Sequence, residues 1–414
     1  MASSVRDLCL SLPDPVEDQI FALMARFQSA KKRHSDGTLS KEPFTLGVGK
    51  FINSEGKTPV LKSVRTALED QLSKRIKDEP SGGYLPIVGA PAFRAALEEL
   101  VLGKDLADRV REEGALGSCQ ALGGTGGNFV QASFLKILGV KSIALSNPTW
   151  GNHKKIFPFA GLAISSYPYF DSSRAEITYD EMRKTISSLE PGSAISFHGC
   201  CHNPTGADLT PEQWKELCED VKARDLVTVF DVAYAGFAKG LAEDLFSVRH
   251  FVEQKVPTLV AFSFSKIASL YEERIGSCLV ALPEGYSTSA KVLGVLESIQ
   301  RPTISNPPAL VSRAITQVLT DSTLRADWER ELSQMAEEIR HGGRLLAREL
   351  EKVGVPHGGI EARKGMFAML PFSPEQVKVL EEEEQVYMLP NGRINVAAVK
   401  EHNVVELAAR MKRI

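Results

Sequence analysis

Four short apolar runs in the middle of the chain each lead directly into a cluster of polar residues. Ser142–Leu145 leads into Asn147-Pro-Thr-Trp150, and Ala194–Phe197 into His198-Gly-Cys-Cys-His-Asn-Pro-Thr-Gly206. Leu226–Phe230 ends in Asp231, and Thr258–Phe262 in Ser263-Phe-Ser-Lys266. Between the second run and the third, Thr210-Pro-Glu-Gln213 is a capping box with proline at the first helical position. Trp214, Leu217, Cys218 and Val221 then mark the buried face of a helix. Strand, helix, strand order requires right-handed crossovers and predicts an α/β fold with a largely parallel sheet covered on both faces. Ligands of such sheets bind outside the carboxyl ends of the strands, where Trp150, Asn203, Asp231 and Lys266 fall. Singly these residues read as packing, helix capping or a solvated face; after successive strands they predict one site.

The ends of the chain have a different texture. At 414 residues the chain has room for more than one layered unit. The N-terminal segment to about Lys50 reads as partly helical, with Ile20, Leu23, Met24 and Phe27 on one face, followed by a polar stretch from Ser29 to Glu42. Past Pro307-Pro308 a long helical pattern runs from Leu310 to Lys352, broken near Asp321, and Phe367–Leu370 reads as a strand. Val386–Leu389 and Arg393–Val396 flank Pro390-Asn391-Gly392, a hairpin signal. Glu381–Glu384 reads as a solvated helix end. The expected division is a small α+β domain built from residues 1–50 and 310–414, and a large domain over 51–309.

Composition narrows the function. Apolar residues make up 43% and charged residues 24%, the balance of an ordinary soluble globular protein. No run approaches the ~18 apolar residues of a membrane-spanning helix. A net charge of −3 supplies no basic field for nucleic acid or anionic lipid. The six cysteines form no CxxC pair and read as reduced thiols of a cytoplasmic protein. Met1–Pro15 lacks the apolar core of a signal peptide. The eight histidines form no HExxH, so no metal site is expected.

The chemistry concentrates on one lysine. Lys266 stands in Ser263-Phe-Ser-Lys-Ile-Ala-Ser-Leu-Tyr-Glu-Glu-Arg274, where two hydroxyls and an arginine suit a phosphate beside a covalent amine. Partial burial and nearby cations lower a lysine pKa and make it a nucleophile. Asp231 could keep a pyridine nitrogen protonated, which makes pyridoxal phosphate an electron sink. Asn203 and Tyr234 could donate to the phenolic oxygen of that cofactor, and Trp150 could stack on its ring. Gly123-Gly-Thr-Gly-Gly127 opens a helix whose inner face reads as Val130, Phe134, Ile137 and Leu138. A helix start suits a phosphate, although a glycine run alone reads as a tight turn. It matches neither GxGxxG, which would need glycine where Phe129 stands, nor a P-loop.

The whole chain from about Asp14 resembles the class I aminotransferases of pyridoxal-phosphate fold type I, in the aspartate and aromatic aminotransferase branch. The matching words are Leu46-Gly-Val-Gly49, Tyr84-Leu-Pro-Ile87, Gly123-Gly-Thr-Gly126, Asn147-Pro-Thr-Trp150, His202-Asn-Pro-Thr-Gly206, Asp231-Val-Ala-Tyr234, Ser263-Phe-Ser-Lys266, Arg274, Arg301, Ser305-Asn-Pro-Pro308, Gly365-Met-Phe367 and Gly392-Arg-Ile-Asn395. The resemblance implies a mostly parallel seven-stranded sheet in the large domain. It makes Lys266 the covalent amine and proton shuttle, Asp231 the partner of the pyridinium, and Asn203 and Tyr234 partners of the phenolic oxygen. Gly124, Thr125, Ser263, Ser265 and Arg274 hold the phosphate, with Tyr84 from the partner subunit of a homodimer. Arg393 takes the substrate α-carboxylate with Gly49, Trp150 and Asn203 alongside, and Arg301 of the partner takes the distal carboxylate of dicarboxylic amino and keto acids. His153 and His198 fall behind Asp231. The implied activity exchanges the amino group between L-aspartate and 2-oxoglutarate. The alternative is an aromatic or broad-specificity aminotransferase; a lyase or decarboxylase on the same fold fits less well. Three departures bear on substrate preference: Ile267-Ala-Ser269 after the lysine, Ile304 where a tyrosine is usual, and Ala235 where a glutamine is usual.

Overall fold

The computed structural model describes residues 5–12, 17–77 and 83–414. Asp14, from which the resemblance is counted, lies outside them. Seven strands form one sheet in the order Ala115–Leu122, Ile275–Leu282, Thr258–Ser263, Val227–Val232, Ala194–His198, Ser142–Asn147 and Ala163–Pro168. The last five run parallel, while Ile275–Leu282 is antiparallel to both its neighbours. This is the expected α/β architecture with a mostly parallel seven-stranded sheet. The four predicted strands are all present and run a residue or two further at their carboxyl ends. His198 and Asp231 therefore stand inside the ladder as register partners, and Asp231 pairs onward with Ala261.

Burial on both faces explains the apolar runs. Thr258–Ser263 and Ile275–Leu282 are buried along their whole length, as strands sandwiched between helices must be. On one face Phe197, Trp214, Phe230 and Phe251 pack ring against ring at centroid separations of 5.3–6.1 Å. Trp214 arrives there on the helix Pro211–Ala223, which starts at the predicted capping box with Trp214, Leu217, Cys218 and Val221 inward. The other face carries the helix Gly123–Ile137, whose Val130, Phe134 and Leu135 meet Ile143 and Phe157.

The sole strand reversal beside Ser263 places a cation. Ile275 pairs with Leu122 and Gly276 with Ser263. Arg274, just before this strand, is thereby delivered to the edge where Ala115–Leu122 and Thr258–Ser263 finish.

The terminal segments largely follow expectation. In the helix Gln19–Ser35, Leu23 and Phe27 are buried against Tyr387 and Leu389, with Ile20 and Met24 partly so. Helices Leu310–Thr320 and Ser322–Val353 break at Asp321, whose carboxylate accepts from the N–H groups of Thr323 and Leu324 at 2.9 Å each. No helix among the described residues is long and apolar enough to cross a membrane.

Four expectations are corrected. Val386–Tyr387 and Arg393–Asn395 are not a hairpin. The first pairs in parallel with Phe44–Thr45 and the second antiparallel with Phe367–Met369. The turn between them still forms, with Gly392 N–H donating to Leu389 O at 2.9 Å, but each strand finds its partner in another part of the chain. Ile137 and Leu138 are about half exposed, at 54% and 47%, and Leu135 fills the inner face instead. The polar stretch from Ser29 is helical as far as Ser35, because Ala30 continues the buried stripe while Lys31, Lys32 and Arg33 stay in solvent. Glu384 is buried rather than solvated, paired with Lys41 at 2.9 Å and Arg413 at 3.0 Å.

Gly127 lets the helix Gly123–Ile137 lie close on the sheet. A Cβ there would stand 2.5 Å from the Ser277 carbonyl oxygen and 3.0 Å from Ala261 Cβ. Since backbone cannot yield as a side-chain tip can, Gly127→Ala should destabilise the fold by about 1–3 kcal/mol. The measurement is a shifted denaturant midpoint with an unchanged slope, and an unshifted midpoint would refute the close approach.

Candidate active site

The loops at the carboxyl ends of the strands converge on one cavity of about 200 Å³. Its lining includes Gly49, Gly124, Thr125, Trp150, Asn203, Asp231, Tyr234, Ser263, Ser265, Lys266 and Arg274, so the predicted residues other than Tyr84, Arg301 and Arg393 meet at one place. Arg393 adjoins it, donating to Asn203 Oδ1 at 3.3 Å.

Asp231 is buried and satisfied on one oxygen only. Oδ2 accepts from His153 Nε2 at 3.0 Å, while Oδ1 has no partner among the described residues. A chain of groups behind it fixes the direction of that bond. Asn203 N–H donates to His198 Nδ1 at 3.4 Å, which assigns the His198 proton to Nε2, 3.2 Å from Thr149 Oγ1. The Thr149 hydroxyl then donates to His153 Nδ1 at 2.9 Å, leaving His153 Nε2–H for Asp231. Burial, together with neighbouring His202 and His153, holds His198 well below the usual imidazole range, so that ring is neutral. Burial acts to raise the Asp231 carboxyl, but the His153 hydrogen bond and nearby positive charge prevail and hold it below the ordinary value. An ionised carboxylate with a bare oxygen is the complement of a cationic ring N–H.

Lys266 lines the same cavity, half-buried, its Nζ 5.0 Å from the centroid of the Tyr234 ring. Burial lowers its pKa; Asp231 opposes that shift, and Arg274 and Arg393 add to it. The result is an amine more readily uncharged, and so more nucleophilic, than an exposed lysine. Its loop is tied down from three sides. Trp328 Nε1 donates to Ile267 O at 2.8 Å, the Ser269 hydroxyl donates to Pro59 O at 2.5 Å, and the Phe51 N–H donates to Tyr271 Oη at 2.8 Å. Ser269, one of the departures from the family pattern, holds φ +54, a left-handed conformation stabilised here by its own hydroxyl bond.

Arg393 is a buried cation without a carboxylate partner among the described residues. Its terminal nitrogens reach Asn203 Oδ1 and Gly47 O, its Nε has no partner, and its guanidinium lies 4.3 Å from the Phe367 ring centroid. Burial pushes its pKa down to about 10, which still leaves it charged at neutral pH. At the other end of the cavity Arg274 donates to Ser265 Oγ at 3.3 Å beside Ser263, and the helix from Gly123 begins with no side-chain cap, leaving its first N–H groups for a ligand. Gly123 adopts φ +68, and a Cβ on it would collide with Arg274. Trp150 flanks the site, edge-on to His153 at 5.2 Å.

Tyr84 and Arg301 do not join this group. Tyr84 is 91% exposed, and Arg301 is exposed with its guanidinium on Ser305 Oγ at 2.9 Å. Tyr271 and Thr149 were not singled out from sequence. Both lie inside words already noted, beside Lys266 and Trp150, but a hydroxyl there carries no signal until its partners are in space. The residues present suit pyridoxal phosphate: an anion cradle at a helix start, a half-buried amine, and an unpartnered carboxylate oxygen for the ring nitrogen.

Known proteins agree with that fit. A family model described as aminotransferase class I and II matches residues 41–411. Tyrosine aminotransferase of Klebsiella pneumoniae is 35% identical over 94% of this chain and 96% of its own. Aspartate aminotransferase of Escherichia coli K12 is 37% identical over 87% and 90%. Among solved structures, the aromatic-amino-acid aminotransferase of Burkholderia pseudomallei, covalently bound to pyridoxal phosphate, superposes with a TM-score of 0.90 at 34% identity, covering 97% of this chain and 98% of that one.

His153→Phe removes the hydrogen bond that holds Asp231 ionised and leaves burial, which acts the other way. A carboxyl with a depressed pKa loses its charge only at low pH, so removing the cause of the depression moves that loss upward. The acid limb of the kcat/KM profile should therefore shift to higher pH in His153→Phe. An unmoved limb would show that Asp231 does not depend on this chain.

Proposed function

The chain belongs to the class I and II aminotransferases, and from that membership we propose that it exchanges the amino group between L-aspartate and 2-oxoglutarate, forming oxaloacetate and L-glutamate in two half-reactions. It is a pyridoxal-phosphate-dependent aminotransferase. The observation that carries the substrate class is Arg393, a buried guanidinium with an unpartnered Nε beside Lys266 and Asn203. Such a charge calls for an anion, and planar bidentate pairing suits a carboxylate.

When bound, the cofactor supplies an electron sink for the charge left at the substrate Cα. The chain's own residues do the rest. Asp231 Oδ1 would hold the ring nitrogen protonated, and Asn203 and Tyr234 would meet the phenolic oxygen. Gly124, Thr125, Ser263, Ser265 and Arg274 hold the phosphate, and Trp150 covers the ring. Lys266 Nζ would take the proton from the substrate Cα and carry it as an ammonium, while Arg393, with Gly49 and Asn203, would fix the α-carboxylate so that the Cα–H bond stays within its reach.

A homodimer with Tyr84 and Arg301 serving the partner's cavity completes the reading. It is supported by the exposure of both residues outside their own cavity and by an apolar groove of about 560 Å³ lined by Phe129, Phe159 and Ile304 beside Thr125 and Arg274. Residues 51–309 serve as the cofactor domain and 1–50 with 310–414 as the smaller domain. Six free cysteines, five of them buried, support the cytoplasm as its compartment. The second reading is aromatic or broad specificity. Ile304 lining that apolar groove favours it, as does the division of the relatives between aspartate, tyrosine and aromatic names. A donor panel of aspartate, tyrosine, phenylalanine and alanine with 2-oxoglutarate decides between them.

Lys266→Ala should lower turnover by at least about 10⁴-fold, since it removes both the covalent amine and the proton carrier. The same variant should keep the cofactor non-covalently, with no label fixed to the chain after borohydride. Turnover near that of the parent would end this assignment.

Arg301→Gln should reduce kcat/KM for aspartate and 2-oxoglutarate on the order of 10²–10³-fold, the cost of leaving a charge unpaired, and change alanine or phenylalanine little. Arg393→Gln should damage every donor alike, because all carry the α-carboxylate. Equal losses for aspartate and phenylalanine in Arg301→Gln would make Arg301 an interface residue only.

A further inference from the structure

Behind Tyr234 lies a second cluster of reactive groups that transamination does not use. Cys200 and Cys201 follow the strand Ala194–His198, and Asp244 closes the short helix Leu241–Asp244. The two sulfurs and a carboxylate oxygen lie within 4.8 Å of one another, and all three residues are buried. Asp244 is already oriented by the N–H groups of Gly236, Ala238 and Lys239 at 2.8, 3.0 and 2.9 Å. A carboxylate offers about four acceptor positions, so its three bonds leave capacity for one more. We propose that Cys200, Cys201 and Asp244 form an inhibitory binding site for a single thiophilic divalent cation of the zinc or cadmium type.

Geometry, charge and access each support the assignment. Zinc binds thiolate sulfur at ~2.3 Å and carboxylate oxygen at ~2.0–2.2 Å. Two donors on one ion are thus separated by up to about 4.6 Å, a spacing this cluster reaches with small adjustments. Binding displaces one proton from each thiol, so the dication, two thiolates and Asp244 together carry a single negative charge. Of the other charged residues lining the cavity, Lys239 and Lys364 balance Asp208 and Glu243. That cavity, about 160 Å³, has Cys200 and Asp244 in its wall and the exposed Pro211, Lys239 and Glu243 at its rim. With ~30 Å³ per water, it has room for the ion and for water in the remaining coordination positions.

The cluster touches the active site through Cys201. Its Sγ donates to the Tyr234 carbonyl at 3.6 Å, and its Cβ lies where a Cβ on Gly365 would come within 2.5 Å. Two residues after Gly365, Phe367 carries the Arg393 guanidinium on its ring. A cation that draws the Cys201 sulfur toward Asp244 breaks its bond to the Tyr234 backbone and disturbs the packing under Phe367, so Tyr234 and Arg393 both lose their settings.

The test is a titration of the cofactor-loaded enzyme with cadmium chloride. Expected are one ion per chain, an ultraviolet thiolate-to-cadmium charge-transfer band, loss of activity in step with that band, and recovery with a chelator. Cys200→Ala should turn over as the parent does without cadmium, lose the band and bind at least about tenfold more weakly. Cys119→Ala, which removes a buried thiol elsewhere, should respond to cadmium as the parent does. Lys266→Ala should keep the band, which separates this site from the catalytic cavity and from any failure of the substrate assignment. Inhibition without the band, or an undiminished response in Cys200→Ala, overturns the proposal. Anomalous scattering from cadmium in native crystals decides it without a variant: a peak between the three side chains supports the site, and a peak only elsewhere refutes it.

Discussion

An ionised carboxylate buried at the end of a central strand costs several kcal/mol unless it is paired, and Asp231 is paired on one oxygen only. Half-buried Lys266 and buried Arg393 stand near it, and Arg393 Nε has no partner among the described residues. Replacing any one of them by an apolar residue would ease the folded state, so the arrangement makes sense only with a ligand that completes it. On the proposed reading that ligand brings a proton-bearing ring nitrogen to Asp231, a carbonyl carbon to Lys266, and a carboxylate to the arginine. The His198–Thr149–His153 chain serves the same end. It directs the His153 Nε2–H at Asp231, which stabilises the carboxylate.

Topology makes this cluster possible. Parallel strands put their carboxyl ends on one side, so loops distant in sequence contribute Trp150, Asn203, Asp231 and Ser263 to one rim. A purely parallel sheet would start its next strand at the far edge and leave Arg274 there. The antiparallel strand Ile275–Leu282 instead begins at the rim, which brings Arg274 against Gly123 and Ser265. The substrate end is supplied differently: Arg393 comes from a strand paired with Phe367–Met369, and Gly49 follows the strand Phe44–Thr45. The cofactor side of the cavity thus rests on the seven-stranded sheet, and the substrate side on two small two-stranded ones.

Much of this was legible in the sequence, and the misses have common causes. Strands buried on both faces write themselves as apolar runs, and the capping box at Thr210 is a local signal, so both were found. The words around Lys266 and Asp231 were legible because each packs several functional residues into a few positions. Pairing between distant segments was not. The Pro390-Asn391-Gly392 turn is real, but nothing local reveals that Phe44–Thr45 and Phe367–Met369 will take the flanking strands. Glu384 reads as one of four acidic residues in a row until Lys41 and Arg413 arrive from either end of the chain. Ile137 and Leu138 continue a helical period past the point where the sheet beneath it ends.

Substrate preference is the hardest property to read, for an energetic reason. On the proposed reading every amino acid presents its α-carboxylate to Arg393, so this contact would raise reactivity without discriminating. Discrimination rests on what meets the side chain. An arginine there rejects neutral groups strongly, since a desolvated charge is left unpaired, whereas an apolar wall separates substrates by only ~1–3 kcal/mol per methylene. Arg301 and Ile304 lie within three positions of one another and, in the proposed roles, would act in opposite senses, one favouring a second carboxylate and the other tolerating a ring. Arg301 is held by Ser305 rather than by a fixed anion. A guanidinium held only by a neighbouring hydroxyl can turn aside for an aromatic side chain at modest cost and return for a carboxylate. On the proposed reading both specificities are compatible with a single set of residues, and their balance would depend on how firmly Ser305 retains Arg301.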